Sequence, residues 1–182
     1  MAKNPAFLIL PKNQLENGKI IPCSLKNFSK SKLKLNDEAE LKIGDCVYLH
    51  NNITLKKNPL SQKFINENAF IVRILEMFED KKGKSTSNTI KIQWFWRSNE
   101  VNLANSTKKP NSMEIYLDVS FELGSEVDIA SIISPCYVKI DAVEPDKIEG
   151  YNFFSCMCYN GKDLLQLKLI DIEIVEDDDS SI

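Results

Sequence analysis

The nine residues Thr89-Ile-Lys-Ile-Gln-Trp-Phe-Trp-Arg97 hold two isoleucines, two tryptophans and a phenylalanine, with no glycine or proline among them. Such side chains suit a half-buried pleated surface, so the segment predicts a β-strand. Successive strand side chains alternate faces, which puts Trp94 and Trp96 on one face, about 7 Å apart, and Phe95 and Arg97 on the other. Ile90 and Ile92 share the parity of the tryptophans while Phe95 does not, so periodicity leaves open which face is core.

Working outward, residues 43–49, 70–78, 114–119, 135–142 and 151–159 are also rich in Val, Ile, Phe and Tyr, with turn residues between them. Six or more short strands predict a mostly β, mostly antiparallel barrel or sandwich. The intervening stretches 51–68 and 99–112 are rich in Asn, Ser and Lys and read as surface loops, and 81–88, with Gly83, as a polar hairpin connection. Short helices are expected at 128–133 and at 162–169, where Gly161 precedes Asp163 as an N-cap. Residues 14–40 mix Asn, Ser and Lys with isolated apolar residues and read as an arm that forms no core strand. The organisation expected is a basic N-terminal extension over 1–40, one domain over 41–172, and an acidic disordered tail over 173–182.

The chain of 182 residues is 43% hydrophobic and 27% charged, the balance of a globular domain with a sizeable core. No apolar run approaches the roughly 20 residues that span a bilayer, and no signal peptide is written at the start, so an intracellular protein without membrane contact is expected. Five cysteines (Cys23, Cys46, Cys136, Cys156, Cys158) lie among apolar neighbours and read as reduced core thiols. The single histidine, His50, reads as an exposed loop residue. No CxxC pair, GxxxxGK[ST] or GxGxxG spacing occurs, so neither a metal nor a nucleotide cofactor is expected. No acid/base pair or activated nucleophile stands out, and a non-enzyme is expected.

Charge is distributed unevenly. Residues 1–36 hold seven lysines against Glu16, a local +6, and residues 37–182 hold 16 basic against 25 acidic residues, a local −9. An acidic folded part favours basic partners, and the N-terminal lysines are suited to touch DNA separately. The paired indoles then suggest a cation site. Rings within about 6 Å of a methylammonium attract it by cation–π interaction, worth roughly 0.5–2 kcal/mol per contact. Phe70 can supply a third ring. Glu100 at the rim would select methylation state, because dimethyl-lysine keeps one N–H to donate to a carboxylate and trimethyl-lysine keeps none. The bland reading, in which both indoles belong to the core, competes with it.

The order of segments also carries a resemblance. Ile43-Gly-Asp-Cys-Val-Tyr-Leu49, Ala69-Phe-Ile-Val-Arg-Ile-Leu-Glu-Met-Phe-Glu-Asp80, Ile92-Gln-Trp-Phe-Trp-Arg-Ser-Asn-Glu-Val101 and Glu114-Ile-Tyr-Leu117 resemble, in sequence, the bromo-adjacent homology (BAH) domain. Ile132-Ile-Ser-Pro-Cys-Tyr-Val138 and residues 151–159 are similar to its later segments. The resemblance covers about residues 41–160 and implies a distorted antiparallel β-barrel with short peripheral helices. Within the family it is greatest to the branch found in the largest subunit of origin recognition complexes. That branch implies a nuclear chromatin reader in DNA replication, which binds dimethyl-lysine of histone H4 through an aromatic cage beside other subunits of its complex.

Carried over residue by residue, the resemblance implies a cage of Phe70, Trp94 and Glu100, with Phe70 in place of a tyrosine. Trp96 matches a cage position of readers of trimethylated lysine on the H3 tail. A further family aromatic falls near Asp118, with Tyr116 close by as an alternative wall. Two alternatives remain beside the H4 reading: a trimethyl-lysine reader of the H3 tail, and a BAH module that docks proteins or nucleosomes without a working cage. A nucleic-acid binder using the lysine arm is a third, of a different class.

Overall fold

The structure, a computed structural model, describes residues 7–11, 32–34, 40–82, 85–101, 111–119, 125–141 and 143–171. The expected tail over 173–182, most of the extension over 1–40, most of the loop over 99–112 and Cys23 lie outside the described residues.

The chain is mostly β. Its strands are β1 (Phe7–Pro11), β2 (Lys32–Lys34), β3 (Glu40–Lys42), β4 (Cys46–Leu49), β5 (Phe70–Lys82), β6 (Ser85–Arg97), β7 (Ile115–Asp118) and β8 (Ser125–Asp128), followed by β9 (Ile132–Cys136), β10 (Val138–Ile140), β11 (Phe153–Ser155), β12 (Met157–Tyr159) and β13 (Leu164–Asp171). Two short helices, α1 (Asn52–Leu55) and α2 (Gln62–Asn68), fill the stretch read as a loop. Their polar sequence is cap chemistry. The Asn51 side chain accepts from the N–H groups of Ile53 and Thr54, both at 3.0 Å, and Ser61 Oγ accepts from Phe64 N at 3.2 Å. His50 is half-buried beside α1, its Nδ1 3.1 Å from Thr54 Oγ1, and is not an exposed loop residue.

The main sheet runs β1-β13-β12-β7-β6-β5-β4-β9, and β8 pairs with β6 beside β7. Among the described residues no ladder joins β1 to β9, so the pairing is that of an open sheet. It nevertheless curls. Cys46 and Tyr48 of β4, Cys136 of β9, Phe95 of β6, Leu117 of β7 and Leu167 of β13 all join one buried cluster, so strands far apart in the order share one interior. The opposite face of β4, β5 and β6 builds a second cluster from Val47, Leu49, Val72, Ile74, Ile90, Ile92 and Ile132. β6 therefore sends Phe95 to one cluster and Ile90, Ile92 and Trp94 to the other, although Thr89, Lys91, Gln93 and Arg97 share the face of Phe95.

The Gly-Asp pair ahead of β4 shapes a turn. Gly44 has φ +92°, a conformation that a side chain disfavours, and its N–H donates to Ile74 O at 2.8 Å. The Asp45 carboxylate accepts the Lys42 N–H at 2.8 Å, and burial raises its pKa.

Several sequence expectations need correction. Residues 162–169 are not helical, because β13 is a strand held between β12 and β1. The Gly161-Lys-Asp163 stretch read as a helix start is the β12–β13 hairpin turn, with Gly161 at φ +91° and Asn160 Oδ1 accepting from Lys162 N and Asp163 N at 2.9 and 2.7 Å. Of 128–133, only Ile129–Ser131 form a 3₁₀ turn, capped by Asp128, before β9 begins. β5 and β6 stay paired as far as Lys82 opposite Ser85, so the connection is shorter than 81–88. Two pairings, β7 with β12 and β10 with β11, are parallel. Within the expected extension, residues 7–11 pair with β13 at the sheet edge.

Candidate functional site

β6 organises the site. Along one edge it pairs with β5, Val72 standing opposite Trp94. Along the other it pairs with β8 through residues 89–92 and with β7 through residues 95–97, leaving Gln93 and Trp94 between the two partners. Side-chain donors close this gap: Gln93 Nε2 donates to Asp118 O at 3.0 Å, and Trp94 Nε1 donates to Ser125 Oγ at 3.3 Å.

Phe95 points into the main interior at 6% exposure, opposite Leu117, so the tryptophans occupy the other face. Both are half-buried. Trp94 packs on the second cluster and turns back over β5 to meet Phe70, which opens that strand. The two rings stand 5.1 Å apart at 85°. Phe70 is 43% exposed, so the pair forms an aromatic corner open to solvent. Trp96 turns the opposite way, across β7, to meet Tyr159 of β12 at 6.3 Å and 75°. Its indole N–H is buried without a hydrogen-bond partner among the described residues.

Tyr116 and Asp118 lie on this same face of β7, with Tyr116 paired to Trp96 and Asp118 to Tyr159. They are only 1% and 4% exposed. Tyr116 therefore offers no ring face to solvent, and burial, with the carboxylate of Glu114 beside it, pushes its phenol up to about 12. Glu100 sits on the exposed turn after β6. Its Oε1 accepts the Arg97 N–H at 3.2 Å and lies 3.8 Å from Arg97 Nε.

Arg97 faces the main interior and fastens the turn to α2. Its Nη2 donates to Ala69 O at 2.8 Å, its Nη1 donates to Asn66 O, and its guanidinium carbon lies 5.5 Å from the Phe153 ring centroid. Burial lowers its pKa against the opposing pull of Glu100. The peptide just before Phe70 is thereby fixed to the strand that carries Trp94, which positions both rings of the corner. A groove of about 870 Å³ opens on this side, lined by Lys63, Glu67, Arg97, Asn99, Met113 and Tyr151 among others. None of the six residues predicted from the sequence lines it.

The sequence thus located Phe70 and Trp94, which the structure brings together, and Trp96, which it sends to a different ring. It missed Tyr159, Ser125 and Arg97 as the residues that orient the indoles and the turn. Tyr159 carries no sequence signal, since it meets Trp96 only through the parallel β7–β12 pairing. Of the cysteines, Cys46, Cys136, Cys156 and Cys158 are buried thiols outside any disulfide, and burial holds Cys136 at about 12 and Cys158 at about 11. Cys136 and Cys158 therefore stay protonated at neutral pH. Among the described residues no group of three or more His, Cys, Asp or Glu side chains is arranged to hold a metal ion, and no helix is long and apolar enough to cross a membrane.

Comparison with known proteins bears on this geometry. The chain is similar to origin recognition complex subunit 1 of Cricetulus griseus, with 23% identity over 127 residues, which is 66% of this chain. The match spans only 13% of that relative's length. The profile of the BAH domain matches residues 39–168, more than half of the chain, and in these residues lie the Gly-Asp turn, both indoles and the strands that orient them. This chain belongs to the BAH domain family.

Proposed function

We propose that the chain is a chromatin reader module that binds a methylated lysine on a histone tail, with dimethyl-lysine of histone H4 as the preferred mark. The observation that carries this reading is the Phe70–Trp94 corner, two perpendicular rings at 5.1 Å with one of them open to solvent. A methylammonium seated in that corner lies within about 6 Å of both centroids, in the range of cation–π attraction. Trp96, which turns toward β12, is left out of this corner, and Glu100 on the turn after β6 is the carboxylate that would accept the remaining N–H of a dimethyl-lysine.

The resemblance to an origin recognition complex subunit supports a nuclear role in DNA replication, within a larger protein and beside other subunits. In this reading residues 41–172 form the module, the lysines of the 1–40 extension contact DNA, and the acidic 173–182 segment is a solvated tail. The reaction is binding alone, and no residue acts as a catalyst.

One observation favours a second reading. Tyr116 and Asp118 are buried, so the wall expected beyond the corner is not offered by either, and a docking module without a working cage needs neither. Calorimetric titration with H3 and H4 tail peptides, each unmodified, mono-, di- and trimethylated, separates the two. The reader binds a methylated peptide more tightly than its unmodified form, with H4 dimethyl-lysine first. Equal affinity for all forms leaves the docking module.

A further inference from the structure

We infer that Trp96 and Tyr159, backed by Asp118, form a second cation subsite, which takes an unmodified basic side chain two residues from the methyl-lysine on the same tail. The inference rests on the reading of the Phe70–Trp94 corner as the methyl-lysine site.

The two indoles of β6 diverge. Trp94 makes its ring contact toward β5 and Trp96 makes its own toward β12, so one face of the sheet carries two corners rather than a single closed cage. Each corner is built the same way, from two rings at a steep angle, 85° in one and 75° in the other. The rings of Trp96 and Tyr159 are only half-buried. Next to Tyr159 stands an acid, since Asp118 of β7 is its direct cross-strand neighbour. Two rings with an acidic residue on the neighbouring strand match a guanidinium or ammonium, whose flat or methylene surface the rings cover and whose charge the acid attracts.

Spacing sets the sequence rule. The first corner lies between β5 and β6, and the second lies over β7, between β6 and β12. Their centres are therefore about one and a half inter-strand spacings apart, roughly 7 Å. An extended peptide advances about the same distance in two residues and returns its side chain to the same side. A tail crossing these strands thus places residues n and n±2 in the two corners, while the side chains at n±1 point away.

The test uses the whole chain and peptides with one fixed dimethyl-lysine, alanine at the four flanking positions, and arginine introduced singly at −2, −1, +1 or +2. Arginine at one of the two positions ±2 should tighten binding about two- to fivefold, the range of a partly exposed cation–π contact. Arginine at ±1 should give no such gain. The gain should vanish in Tyr159→Ala and in Asp118→Asn, while both variants keep their preference for the dimethylated all-alanine peptide over the unmodified one. Tyr159→Leu replaces Tyr159→Ala if the latter loses its cooperative melting. Equal gains at all four positions, or a ±2 gain that survives these variants, overturn the second subsite and leave the first corner standing. An all-alanine peptide with no methylation preference in the unaltered protein overturns both.

Discussion

Replacing Phe70 by Leu removes one wall of the corner while keeping an apolar side chain of similar bulk. Phe70 is 43% exposed, and its main contact is the perpendicular packing on Trp94 at 5.1 Å. The stability cost is therefore that of one aromatic pair, about 0.5–1.5 kcal/mol. For a chain of this size, a loss of that order lowers Tm by roughly 1–6 °C without abolishing cooperative melting. Binding loses one cation–π contact of about 0.5–2 kcal/mol, a rise in Kd of roughly two- to thirtyfold at about 1.4 kcal/mol per decade. Phe70→Tyr keeps the ring face and should restore most of the affinity. Calorimetry with a dimethyl-lysine H4 peptide, alongside scanning calorimetry of each variant, reads both quantities. An unchanged Kd in a folded Phe70→Leu protein would refute the reasoning, because the exposed ring would then serve no ligand.

Three further outcomes are expected. Glu100→Gln keeps size and an acceptor oxygen but removes the charge, so the affinity ratio of dimethyl to trimethyl peptide should shrink toward one; an unchanged ratio makes Glu100 a bystander. Replacing Lys3, Lys12, Lys19, Lys26 and Lys30 by Gln removes most of the local +6 without deleting β1, and should weaken nucleosome binding and its salt dependence while leaving peptide affinity alone. Equal losses for both would contradict a separate role in DNA contact. Burial holds Cys46 above the ordinary thiol range and Cys136 at about 12, so the unfolded chain releases these protons first as pH rises past roughly 8.5. Their contribution to stability is fully present below that pH and is lost as pH climbs toward the folded values, so Tm should fall from about pH 8.5 to 11; a rising Tm there contradicts the assignment.

Much of this was legible in the residues, for reasons particular to each. Thr89-Ile-Lys-Ile-Gln-Trp-Phe-Trp-Arg97 reads as a strand because every side chain suits one, and the Gly-Asp turn is visible because only a few residues tolerate its backbone. The face of the indoles was not legible, because Phe95 interrupts the polar parity of Thr89, Lys91, Gln93 and Arg97 and is buried in one cluster while Ile90 and Ile92 are buried in the other. β13 was misread as a helix because Asn160-Gly-Lys-Asp163 serves equally as a cap and as a hairpin turn, and only the pairing with β12 and β1 decides. At the site, Phe70 and Trp94 are neighbours through adjacent strands in register, a relation that a sequence pattern can suggest. The divergence of Trp96 toward Tyr159 depends on a parallel pairing between residues about forty positions apart, which no local pattern encodes.

The two tryptophans give the most direct measurement of the central claim, since each contributes one indole N–H resonance to an amide correlation spectrum. Trp94→Phe assigns them. With an H4 tail peptide carrying dimethyl-lysine, the Trp94 resonance, whose N–H donates to Ser125 Oγ beside the corner, should shift in a saturable way, and with the unmodified peptide at the same concentration it should shift far less. A Trp94 resonance that stays put with every methylated tail peptide, or that moves equally with the unmodified ones, would contradict the reading of this corner as a methyl-lysine site.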